Sequence, residues 1–286
     1  MRVSQIFRSL PLAAAAALAL VCAPAAAADT SQSSNWAGYA VHHSKVNFTK
    51  VLGTWTQPKA VCTAGQATYS SVWVGIGGYS VSSKALEQIG TEADCTAAGN
   101  EASSAWYELV PSASATVKIP VDAGDRMRAG VAVSGSEVTL TLTNQTRHRT
   151  FTRRLHASVL DTTSAEWILE APSVCTSTTC QTLPLADFGS TGFSAASAKT
   201  TAGHTGTIDD RHWTTTKITL AEGGRQFIVG GVIGAPFATA TPSSLTAKDS
   251  AFTVTYNGSS SGFTPLQAKR VTAARIVHAP ALSPTS

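Results

Sequence analysis

Apolar and polar residues alternate in short runs along much of the chain. In Val138–Thr143 (VTLTLT), Val138, Leu140 and Leu142 fall on one side and Thr139, Thr141 and Thr143 on the other. A period of two marks a strand with one buried and one wet face in an antiparallel sheet. Similar runs recur at Ser71–Ile76, Ala105–Pro111, Ala115–Val121, Met127–Ser134, Glu166–Glu170, Lys217–Leu220, Gln226–Ile233 and Ala251–Tyr256. Gly, Pro, Asn or Ser residues bound them, as expected of strands joined by turns. No long stretch repeats at the helical period. The pattern predicts an all-β fold, with residues 29–258 as one domain. About 230 residues is an ordinary size for a single sandwich or barrel. Residues 259–286 are polar and then mixed, and are expected to form a partly ordered tail.

The first 28 residues break the pattern. Arg2 and Arg8 precede an Ala/Leu-rich run, which ends at Pro24 and small residues in an A-x-A setting. This predicts a secretory signal peptide cleaved near Ala28, and so a secreted, extracellular protein. About six residues separate that point from Asn35, which leaves no room there for a folded inhibitory pro-domain. Loss of the leader removes Cys22 and leaves Cys62, Cys95, Cys175 and Cys180. An even count in an exported chain predicts two disulfides. Three pairings are open, and local spacing favours Cys62–Cys95 with Cys175–Cys180. The chain has neither a C-x-x-C pair nor an H-E-x-x-H pattern, so no metal and no cofactor is expected.

Composition narrows the class further. Only 13% of residues are charged and 43% are hydrophobic. Disorder demands the opposite balance, and long helical assemblies demand more Glu, Lys and Arg. The formal charge of +4 is spread out, apart from Arg147–Arg154 (RHRTFTRR). That cluster reads as a solvated strand edge or hairpin, because edge Lys and Arg block aggregation. No nucleic-acid partner is expected, no membrane association after signal cleavage, and a monomer.

Candidate chemistry sits in four segments: Ser71–Gly78 (SVWVGIGG), Leu86–Glu92 (LEQIGTE), Ala105–Pro111 (AWYELVP) and Ala165–Pro172 (AEWILEAP). Strand alternation puts Trp106 and Glu108 on one face, and Glu166, Ile168 and Glu170 on one face. Glu166 and Glu170 lie about 13 Å apart along an extended strand, too far for direct acid/base work on each other. None of the four segments holds Lys or Arg. Carboxylates desolvated beside aromatic rings have raised pKa values, which suits general acids and bases.

Six motifs occur in order: Asn35-Trp36-Ala37-Gly38-Tyr39, Trp73-Val74-Gly75-Ile76-Gly77-Gly78, Gln88-Ile89-Gly90-Thr91-Glu92, Ala105-Trp106-Tyr107-Glu108, Ala165-Glu166-Trp167-Ile168-Leu169-Glu170 and Leu185-Ala186-Asp187-Phe188. Together they resemble the eqolisin family of glutamic endopeptidases, in its bacterial form. The resemblance spans roughly Ser34 to Asn257. It implies a β-sandwich of two antiparallel sheets (jelly-roll or concanavalin-like) and a catalytic dyad of Gln88 and Glu170. Trp36, Trp73, Trp106 and Glu108 are then expected to line the substrate cleft, and proteins or peptides are the expected substrates. The family's W-V-G-I segment often continues with Asp-Gly, where this chain has Gly77-Gly78. The resemblance implies water attack at acidic pH, without a metal or a covalent intermediate. Two other readings compete: a glycoside hydrolase using Glu108 and Glu170, which needs carboxylates about 5 to 9.5 Å apart, and a non-catalytic carbohydrate-binding sandwich.

Overall fold

In a computed structural model that describes residues 1, 28–175, 180–224, 238–258 and 276–277, eight of the predicted runs appear as strands, beside eleven further strands that the alternation did not mark. They are β1 (Asp29–Ser33), β2 (Trp36–His42), β3 (Phe48–Thr56), β4 (Ser71–Gly77), β5 (Leu86–Cys95), β6 (Glu101–Val110), β7 (Ala115–Val117), β8 (Arg126–Ser134), β9 (Glu137–Asn144) and β10 (Arg149–His156). Then follow β11 (Ser164–Glu170), β12 (Ser173–Cys175), β13 (Cys180–Thr182), β14 (Ser190–Thr200), β15 (Thr205–Gly206), β16 (Thr214–Leu220), β17 (Ala240–Pro242), β18 (Phe252–Tyr256) and β19 (Ile276–Val277). No helix occurs among the described residues, and none there is long and apolar enough to cross a membrane. The run Gln226–Ile233 and most of residues 1–28 and 259–286 lie outside the described residues.

The main path runs β10-β9-β8-β3-β14-β18-β17-β16-β2-β11-β4-β5-β6-β7. Neighbours along it are antiparallel, while β1 joins β16 in parallel. The path folds back on itself, because β3 packs on β4 and β11, and β8 on β4 and β5, without pairing with them. The result is a two-layer antiparallel β-sandwich. Between the layers lie Tyr39, Val41, Trp55, Val74, Ile76, Leu140, Leu142, Trp167 and Leu169. The alternation of β9 is reproduced, since Val138, Leu140 and Leu142 are fully buried. The basic cluster forms the β9–β10 turn and the exposed edge strand β10. Arg147 there is paired with Asp122 and Asp125.

Cys62 and Cys95 form a disulfide that ties the loop after β3 to the end of β5. Cys175 stands opposite Cys180 in the β12–β13 ladder. Their side chains, and so the second expected disulfide, lie outside the described residues. Strand β19 pairs with β12, placing Ile276 and Val277 of the expected tail against the domain.

Candidate active site

Strands β4 and β11 are buried at every position. One face of each packs into the inter-layer core. The other carries a second apolar cluster of Trp36, Ala40, Trp73, Leu86, Trp106, Val110, Ile168 and Ile218. Register sets the order on that face. Reading across β11, β4, β5 and β6, one row is Glu166, Gly75, Gln88 and Glu108; the next is Ile168, Trp73, Gly90 and Trp106; the third is Glu170, Ser71, Glu92 and Ser104. Gln88 and Glu170 therefore face the same side, offset diagonally with Trp73 between them. No direct hydrogen bond joins the two. Trp73 fits because its neighbours in space are glycines. A Cβ on Gly75 would lie 2.9 Å from the Trp73 ring, and one on Gly90 only 2.6 Å from its Cβ.

Glu170 is fully buried and held at both oxygens. The Trp73 indole donates to Oε2 at 2.8 Å, and the Asn35 amide donates to Oε1 at 3.2 Å. Asn35 is itself fixed, because the Ser33 hydroxyl donates to its Oδ1 at 2.9 Å. Trp36 stands edge-on to Trp73, with ring centroids 5.0 Å apart. Burial pushes the Glu170 carboxyl well above the usual range; the Trp73 donor opposes this and the nearby Glu108 carboxylate adds to it.

Gln88 is equally buried, and its Nε2 donates to Glu108 Oε2 at 2.9 Å. Its carbonyl oxygen has no hydrogen-bond partner. A buried amide oxygen left without a partner is costly, and the Gln88 side chain stands on the sheet face that carries Glu170. The tryptophans expected to line the cleft, Trp36, Trp73 and Trp106, are all on this face and all buried.

Gly77 stands where the family resemblance led one to expect Asp. Gly77 has φ of 88°, a conformation that favours glycine, and a Cβ there would come within 2.4 Å of the Asp161 carbonyl oxygen. The carboxylate at this corner is instead Asp161, whose Oδ2 accepts from the Gly78 N–H at 3.3 Å. Although burial opposes it, hydrogen bonds from Ser83 and Thr163 hold Asp161 below the ordinary value. Sequence reading gave no role to Asn35 or Asp161. Asn35 heads one of the motifs, which was the available signal, whereas Asp161 stands in a loop with none.

The sequence profile of the Peptidase A4 family matches residues 34–229, more than half of the chain, with Asn35, Trp73, Gln88, Glu108 and Glu170 inside the match. The chain belongs to the peptidase A4 family. It is an eqolisin, a glutamic endopeptidase, as the six motifs led one to expect. Scytalido-glutamic peptidase, solved with a peptide-based transition-state analogue, superposes with a TM-score of 0.60 at 23% identity, covering 78% of this chain and 98% of that one. SCP-B, solved with the tripeptide Ala-Ile-His, gives a TM-score of 0.58 at 22% identity, again covering 78% and 98%. At such identities the likeness speaks to the fold, and it is the β-sandwich. No curated protein sequence matches this chain. Membership in a peptidase family leaves the glycoside hydrolase and carbohydrate-binding readings without support.

Proposed function

We propose that this eqolisin cleaves peptide bonds by direct attack of a water molecule, with Glu170 as general base and then general acid, and Gln88 as its partner. The observation that carries the reading is the pairing of a carboxylate held at both oxygens with a buried amide whose oxygen is unpartnered. Amide hydrolysis needs a base for the water, a donor for the oxyanion and an acid for the leaving nitrogen. Glu170 takes the water proton and returns it to the amine. The Gln88 oxygen holds the water and its N–H stabilises the oxyanion. Using an amide here avoids a further charge beside Glu170 and Glu108. Trp36, Trp73, Trp106 and Glu108 form the surrounding wall of the cleft, and the substrates are proteins or peptides.

Residues 1–28 are then the export signal, residues 29–258 the peptidase domain and residues 259–286 a tail. The Cys62–Cys95 bond supports an oxidising, extracellular destination. The acidic working range is the one the family resemblance implies; burial raises the pKa values of Glu87, Glu166 and Glu170, which favours stability of the fold in that range.

The reading is tested by digesting a denatured protein over acidic to neutral pH and following the fragments by mass spectrometry. Gln88→Ala is expected to lower kcat by about 100-fold or more, the usual loss for one oxyanion donor. Undiminished cleavage by the folded variant overturns the pairing. Trp73→Phe keeps an aromatic ring, though a smaller one, and removes the donor to Glu170. Loss of a hydrogen bond to a charged group, about 1.5–3 kcal/mol, is expected to lower kcat/KM and move the acid limb of its pH profile upward. An unmoved limb would show that the indole only fills space.

A further inference from the structure

We infer that His204, Asp210 and His212 form a binding site for a late first-row divalent metal ion such as zinc, built into the loop between β14 and β16. The three side chains each offer a ligand atom, and these atoms lie within 4.8 Å of one another. His204 Nε2 lies 3.0 Å from Asp210 Oδ2, and His212 Nδ1 lies 2.7 Å from Asp210 Oδ1. The two imidazole rings stand 3.7 Å apart by their centroids. Ligand atoms about 2.0–2.2 Å from a tetrahedral zinc are themselves about 3.3 Å apart, so only small side-chain rotations separate this cluster from a coordination shell. Two imidazoles and one carboxylate supply neutral nitrogen donors and one negative charge, a set that suits zinc, copper or nickel and leaves a position for water.

The backbone is already shaped for the cluster. Gly206 on β15 makes room for the carboxylate, since a Cβ there would lie 2.1 Å from Asp210 Oδ2. Asp210 is steadied by the His212 N–H, which donates to Oδ1 at 2.9 Å. Behind it, the Trp213 indole and the Thr215 hydroxyl both donate to the Ile208 carbonyl, at 2.9 and 2.7 Å. Trp213 also packs edge-on against Phe48 of the core. The loop is thus anchored on its inner side while the histidines remain partly open, at 32% and 44% side-chain exposure. An ion would enter without unfolding anything.

The site is remote from the dyad. Thr214 pairs with His42 and Glu170 pairs with Trp36, at opposite ends of β2, so about 20 Å of strand separates them. The ion therefore clips the loop and takes no part in hydrolysis.

The test uses the full chain, stripped with EDTA and dialysed. Zinc sulfate alone, titrated by calorimetry at pH 7.5, is expected to bind at one ion per chain and to raise the melting temperature. His204→Ala and His212→Ala are each expected to weaken binding by about tenfold or more, while peptide hydrolysis continues with or without chelator. Cupric ion provides a second readout on the unmutated chain, whose electron paramagnetic resonance spectrum is expected to show two coupled imidazole nitrogens. No binding up to millimolar zinc, binding undiminished from the unmutated chain in either variant, or a copper spectrum without nitrogen coupling overturns the proposal.

Discussion

Replacing Glu170 with glutamine is expected to lower peptide hydrolysis by about 1,000-fold or more, within the range by which general acid–base groups contribute. Glutamine has nearly the same shape, and its carbonyl oxygen still accepts from the Trp73 indole or the Asn35 amide. It cannot take a proton from water. The fold, in contrast, is expected to hold or gain stability near neutral pH, because the substitution removes a buried acid that burial holds well above its ordinary range. Single-turnover cleavage and thermal unfolding on the same preparation separate the two effects. Activity within tenfold of the original, in a folded variant, would remove Glu170 from the reaction. Because the base must be ionised, the acid limb of the wild-type profile should stand above the ordinary glutamate pKa.

The second large effect is a loss of fold stability as pH rises. Burial, with repulsion from Asp161, pushes Glu87 from 4.5 to about 9, and burial pushes Glu166 and Glu170 well above their usual values. Below pH 4.5 such a group is protonated in both the folded and unfolded chain. Above it the unfolded chain releases the proton before the folded chain does, so stability falls as pH rises until the folded form ionises as well. For Glu87 the fall ends near pH 9, where the folded form ionises too. Asp125 and Asp161 act in the opposite sense, since hydrogen bonds lower their pKa values against the effect of burial. Their contribution is present above the ordinary aspartate range and is lost only as pH drops below it. Urea midpoints measured at pH 4, 6 and 8 are therefore expected to decline steadily, and Glu87→Gln should flatten the decline. A midpoint that rises over that interval would contradict the burial of these carboxyls.

Much of the sandwich was written in local alternation. Strands such as β9, with one face wet, declare themselves by period two, and the predicted run from Met127 became β8 almost residue for residue. The facing of Trp106 against Tyr107, and of Ile168 against Trp167, also followed from alternation, and each pair divides between the two apolar clusters. What alternation cannot carry is register between distant strands. That Gln88 sits beside Glu108, and that Asn35 reaches Glu170 across 135 residues, depends on ladder pairing that no local pattern encodes. The same limit hid the histidine cluster, because His204, Asp210 and His212 match no short ligand motif. Their meeting comes from the turn that brings β15 back onto β14.

The burial of β11 on both faces has a consequence for how such an enzyme can change. Its seven positions alternate between the inter-layer core and the face that carries Trp73 and Glu170, and none is exposed. A substitution that alters packing behind the strand shifts the carboxylate in front of it, so fold and chemistry share one set of mutational constraints. Strand β10, exposed along most of its length, carries no such double duty. Sequence drift should therefore be fast at the far edge of the sandwich and slow in its central strands. New substrate preferences then arise mainly from the loops at the ends of these strands, where a residue can be exchanged without moving Glu170.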